Sequence, residues 1–154
     1  MFTAQQLIQA TKNHRPSILD KAKSISIRWG KTNLAKDASG DTYVHIEAQA
    51  KGDTIARQIE LHIYGSGPKA KIWVRCSCPY QMYHCEVLLD RHDNTDLKYA
   101  IDRLPKITNS AMITHICKHL CACLLRGATD KAGDLLKAKK KVPEKTTTKK
   151  TAKF

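Results

Sequence analysis

The chain has 154 residues, enough for one domain plus an appendage with a core of its own, so a miniprotein held only by disulfides is not expected. Its 27 Lys and Arg against 14 Asp and Glu leave a formal charge of +13, which favours acidic partners such as nucleic acid, anionic lipid or an acidic protein face. More than half of that charge sits at the C-terminal end. From Lys137 to Phe154 eight lysines face the single Glu144, a net +7, and leave +6 for the first 136 residues.

Taken in chain order, Thr3 with Gln6 three residues later forms a capping-box pattern that opens a short helix through about Lys12, with Leu7 and Ile8 as its apolar contacts. Pro16 ends it by restricting the residues before it to extended or turn geometry. The same N-terminal stretch lacks the apolar run of a secretion signal, and no later run reaches the length of a membrane span, so a non-secreted protein without a membrane partner is expected. In a reducing compartment six cysteines are better explained as metal ligands and small buried hydrophobes than as three disulfides.

Period-two alternation then marks four strands. "KSISIRW" places Ile25, Ile27 and Trp29 on one face; "TYVHIEAQA" turns Val44, Ile46 and Ala48 inward; "ARQIELHIYG" does the same with Ile59, Leu61 and Ile63; "AKIWVRCSC" carries Ile72 and Val74. "KDASGD", a turn around Gly52 and Asp53, and "GSGPK" separate them, so an antiparallel meander is expected. His45 and His62 fall on the polar faces of their strands and read as exposed cross-strand positions rather than ligands.

After Cys78 the period changes. "YQMYHCEVLLD" has helical spacing over one to three turns, a polar excursion with a short strand near Leu97 to Ile101 follows, and "ITHICKHLCACLLRGA" is a helix ending near Arg126 with Gly127 to cap it. The fold class is therefore α+β: a meander of about four strands with a C-terminal helix, a short N-terminal helix and a disordered basic tail. The corresponding division is an N-terminal arm at 1–20, an α+β domain at 21–136 that holds all six cysteines and a lysine-rich tail at 137–154, too poor in large apolar residues to fold alone.

Two short pairs carry the chemistry: Cys76 with Cys78, and Cys117 with His119. Zinc takes four tetrahedral N and S ligands, and two compact pairs on separate elements can supply them. At a strand end, side chains two apart leave on one face, so Cys76 and Cys78 chelate together. Inside a helix, positions two apart diverge by about 200°, so Cys117 and His119 converge only where one lies at or before the helix cap. There the helix dipole also favours a thiolate. Cys85, Cys121 and Cys123 read as core residues, with His84 and His115 as reserve ligands.

"VRCSCPY" and "ICKHLCACLL" resemble the two halves of the SWIM zinc finger, CxC followed by CxH. The resemblance implies one structural Zn2+ on Cys76, Cys78, Cys117 and His119 in a small unit that binds DNA or protein. Here 38 residues separate the pairs, more than the usual interval, which implies an insertion between strand and helix. Over residues 40 to 126 the chain is similar to small SWIM-like virion proteins of tailed bacteriophages, on Tyr80 or Tyr83, Glu86, and Pro105 with Thr108 and Asn109 as well as the quartet. That similarity implies a particle component rather than an enzyme.

No orienting acid accompanies Cys117 and His119, and no oxyanion loop or nucleotide-binding glycine pattern is present, so no catalytic residue and no small-molecule substrate are assigned. The expected function is that of a zinc-stabilised virion protein contacting other virion proteins, DNA or both through Arg75 and the lysines at 137, 139, 140, 141, 145, 149 and 150. The alternative is a cytoplasmic nucleic-acid-binding accessory or regulatory protein, with Arg28, Lys31, Lys36, Lys69, Lys71 and Arg75 as its basic surface. A third possibility is a protein-interaction module using Tyr80, Tyr83 and Tyr99.

Overall fold

The computed structural model describes residues 1–52, 55–95 and 113–141. The first helix, α1 (Ala4–His14), opens on the expected capping box: Thr3 accepts from the backbone of Gln6, and the Gln6 side chain accepts from Thr3 N–H. It runs two residues past the expected end. Instead of opening the expected extended or turn segment, Pro16 starts a second helix, α2 (Pro16–Ala22). Proline is compatible with a first helical turn because its missing N–H has no intrahelical partner at that position.

Four antiparallel strands follow in the order β1 (Ser26–Lys36), β2 (Thr42–Lys51), β3 (Ala56–Tyr64) and β4 (Lys71–Cys76), each paired with the next in sequence. This is the expected meander. The first strand is longer than "KSISIRW" suggests and changes register between Trp29 and Thr32. Gly30 sits in that irregularity, where a Cβ would lie 3.1 Å from the Glu47 carbonyl oxygen. Alternation holds throughout β2 and β3: Val44, Ile46, Ala48, Ile59, Leu61 and Ile63 are buried on one face.

Past β4 a π-helical turn (Gln81–Cys85) runs into α3 (Glu86–Asp90). The chain returns at Ile113 and enters α4 (Lys118–Leu125), then α5 (Ala128–Lys140). The only residue between the C-cap of α4 and the start of α5 is Gly127, at φ 88°, a left-handed conformation that costs glycine little. It caps one helix, as expected, and also begins another. This second helix absorbs Lys137, Lys139 and Lys140, in place of the disordered tail expected from Lys137 onward. The expected short strand at Leu97 to Ile101 lies outside the described residues, as do Tyr99, Pro105, Thr108 and Asn109. Among the described residues no helix is long and apolar enough to cross a membrane.

Helices α1, α2 and α4 pack with the inner sheet face into one core that includes Leu7, Ile18, Ala22, Ile116 and Leu120. Polar side chains join its parts. Thr11 on α1 donates to Leu7 O and accepts from Ile116 N–H. Arg126, at the end of α4, donates to the carbonyls of Ile25 and Lys23. Asn94 is fully buried: its Oδ1 accepts from Phe2 N–H, its Nδ2 donates to the carbonyls of Phe2 and Ile72, and its carbonyl accepts from Val74 N–H. One residue thus joins the N-terminus to the open edge of β4. Asn94→Ala removes the acceptor of Phe2 N–H and a donor to the Ile72 carbonyl and is expected to lower the unfolding free energy by about 2 kcal/mol; a urea midpoint equal to the parent's would show that Asn94 does not act as a clamp.

Candidate metal centre

Cys76 is the last residue of β4, and its cross-strand partner is the inward-facing Ile59, so its thiol enters the core side of the sheet. Beyond it, Ser77 N–H donates to Gln58 O at 3.1 Å and Ser77 Oγ accepts from Gln58 N–H at 3.0 Å. That pair of hydrogen bonds holds the turn on which Cys78 follows. Across the core Cys117 is the N-cap of α4, with extended backbone (φ −75°, ψ 168°), and His119 is the second helical residue. The condition for convergence is met: the helix begins at Lys118, one residue after the first member of the pair.

One donor atom from each of Cys76, Cys78, Cys117 and His119 lies within 4.8 Å of all the others, and all four residues are buried. For sulfur ligands at about 2.3 Å a tetrahedral ion would separate its donors by about 3.8 Å, so little contraction is needed. His119 Nδ1 is buried with no hydrogen-bond partner among the described residues. A buried imidazole nitrogen left without a partner is costly in a bare protein and is satisfied by a cation. The residues therefore fit a bound metal ion on chemistry, spacing and hydrogen-bond accounting.

Electrostatics point the same way. Contacts from the thiols of Cys117 and Cys76 hold the Cys78 thiol far below its ordinary pKa, whereas burial pushes Cys76 and Cys117 well above theirs. One thiolate forms readily in this cluster and two more do not. A divalent cation removes the conflict, because a coordinating thiol is deprotonated by the ion's own charge.

Gln81, in the π-helical turn, was not anticipated. It is 1% exposed; its N–H donates to Cys78 Sγ at 3.3 Å and its Oε1 accepts from Cys117 N–H at 3.0 Å. A single residue thus touches one cysteine of each pair. Its position three residues after Cys78 offered a faint signal, since a residue there can return its N–H to the sulfur.

The remaining cysteines are core residues. Cys85, Cys121 and Cys123 are buried free thiols, all raised by burial, the latter two to about 12. His115, a reserve ligand, lies elsewhere: its Nδ1–H donates to Ile113 O and its Nε2 accepts from Tyr80 O–H, both at 2.9 Å. Burial lowers its pKa to about 4, so it is neutral at pH 7. His84 stacks on Tyr80 with centroids 4.1 Å apart and lies outside the donor cluster.

The expected partner-binding residues are spread out. Arg75 is held within the sheet, donating to Glu60 Oε2 at 2.9 Å and lying 4.6 Å from the Trp73 ring centroid. Lys137, Lys139 and Lys140 are exposed on α5, with Lys141 at its cap, while Lys145, Lys149 and Lys150 fall outside the described residues. Beside the metal centre opens a groove of about 340 Å³ lined by Lys21, Arg57, Lys118, Ile55 and Tyr80 together with Cys78, Cys117 and His119. Tyr83 is exposed.

Elemental analysis is expected to find about one metal ion per chain in the cysteine centre, and Cys117→Ser to lose both the ion and cooperative folding. A folded, metal-free parent would overturn the assignment. Gln81→Ala should retain the fold but weaken the metal about 10- to 100-fold, as measured by competition with a chromophoric chelator. Comparison with protein-family models, with curated proteins and with solved structures finds no match to this chain, and the centre is defined by its own geometry.

Proposed function

We propose that the chain is a non-enzymatic, zinc-stabilised binding module whose basic surfaces hold acidic partners, and that it serves as a virion protein of a tailed bacteriophage. The observation that carries the first part is the donor set: three sulfurs and one nitrogen, all from this chain and all buried, match a closed structural zinc site. Such a site has no coordination position for a substrate, so zinc contributes folding energy and no chemistry. Its role is to bind the turn after β4 to the start of α4 and so hold the groove and α5 in place.

Support for an acidic partner comes from charge placement. Lys137, Lys139 and Lys140 occupy one exposed helix end, with Lys141 at its cap. Lys21, Arg57 and Lys118 surround the groove next to the metal ligands. These are regions of like charge on folded elements, the footprint that phosphate binding requires. The virion assignment, with neighbouring particle proteins and packaged DNA as partners, rests on the similarity of "VRCSCPY" and "ICKHLCACLL" and their surroundings to phage SWIM-like proteins. The exposed lysines favour equally a cytoplasmic nucleic-acid-binding role for the same module.

One measurement separates these readings and a second tests the contact they share. Mass spectrometry of purified particles is expected to find the chain; its absence would remove the virion role and leave the cytoplasmic one. For DNA, log Kobs should fall with log salt by about 0.9 per phosphate neutralised. Replacing Lys137, Lys139 and Lys140 together by Gln is expected to reduce that slope by about 2 to 3. An unchanged slope would exclude α5 from the contact.

A further inference from the structure

The outer face of the sheet carries a second convergence of metal-binding atoms, on the side opposite the cysteines. His45 on β2 and His62 on β3 are direct cross-strand partners, and Glu60 lies two positions before His62 on the same face. The Nε2 atoms of both histidines lie near one carboxylate oxygen: Glu60 Oε1 is 3.4 Å from His45 and 3.2 Å from His62. All three donor atoms lie within 4.8 Å of one another. An ion with ligands at about 2.0–2.1 Å in tetrahedral geometry separates its donors by about 3.4 Å, so the two separations from Glu60 Oε1 stand at coordination spacing already.

Their surroundings hold them there. Arg75 occupies the other Glu60 oxygen, Oε2, at 2.9 Å, which orients the carboxylate and leaves Oε1 for the histidines. His62 is stacked between Tyr43 and Trp73, with centroids 4.4 and 4.2 Å away. The His45 ring stands at 90° to it. Metal ligands are characteristically fixed by such outer contacts.

Hydrogen-bond accounting leaves a gap that a cation fills. Glu60 Oε1 is engaged by His62 Nε2, but the buried Nε2 of His45 has no hydrogen-bond partner among the described residues. Glu47, with Oε1 3.8 Å from His45 Nε2, adds a second carboxylate at the margin.

We propose that His45 Nε2, His62 Nε2 and Glu60 Oε1 form a second metal site, for a first-row divalent transition ion such as Zn2+, with its remaining position filled by solvent or an external ligand. It differs in kind from the cysteine centre. Two imidazoles and a carboxylate form a harder set than three thiolates, and three protein ligands leave coordination open. An ion held this way is exchangeable and can accept an acidic or imidazole group from another molecule, whereas the cysteine-bound ion is enclosed.

The test uses the full chain as purified. Titration with Zn2+, followed by calorimetry, is expected to show one equivalent bound beyond the metal already present, weakened by about tenfold or more in His45→Gln and in His62→Gln. The metal content measured before titration should be the same in both variants as in the parent, which keeps this result separate from the fate of the cysteine centre. In the parent itself, the imidazole 15N resonances of His45 and His62 should shift together as one equivalent is added, a readout independent of how the variants fold. Equal binding by parent and folded variants, or unshifted resonances of both histidines, would overturn the site.

Discussion

Three thiols and an imidazole buried within 4.8 Å of one another impose the constraint on which the rest of this protein depends. Burial opposes ionisation of Cys76 and Cys117, and Cys78 can take only one negative charge for the group. Without a cation the cluster would be a poorly satisfied hole in a small core. With one, it becomes the point where the end of β4, the π-helical turn and the start of α4 meet. From there α4 continues through buried Leu120, Cys121 and Cys123 to Arg126, whose guanidinium holds the carbonyls between α2 and β1. The helix that carries Cys117 and His119 at its start therefore reaches both the last strand and the segment before the first.

Much of this was legible in the residue pattern, and the reason is periodicity. Ile59, Leu61 and Ile63 alternate without interruption, and the two-residue period admits one strand register relative to the core. The convergence of the two Cys/His pairs was legible because metal chelation demands short spacing. The helix cap at Cys117 followed from the geometry of the pair itself. What escaped lacked a local signal. Pro16 reads as a helix stop until its position as the first residue of α2 is known. The lysine-rich stretch masked α5, whose buried side is built from the small residues Ala128, Ala132 and Gly133 and carries little apolar weight.

The two histidines of the sheet illustrate a different limit. Alternation correctly placed His45 and His62 away from the core, and exposure was the natural inference. Facing each other across β2 and β3, with Tyr43 and Trp73 stacked on His62, they are instead half-buried. Cross-strand register, 17 positions apart in the chain, decides this and leaves no mark on either strand alone. Gln81 is similar: its amide matters because it reaches Cys117, which lies 36 residues away.

The interval of 38 residues between Cys78 and Cys117 also has a meaning in chain entropy. A bound ion joins the two ends of that segment as a cross-link does, and the corresponding loop-closure term in the unfolded chain is about 3 kcal/mol before any contact is counted. A disulfide would make such closure permanent under oxidising conditions. Coordination makes it conditional on the concentration of free metal, since an ion that binds only the folded chain stabilises it in proportion to the logarithm of its concentration. The long insertion is thus tethered by a bond that the surrounding solution can tighten or release.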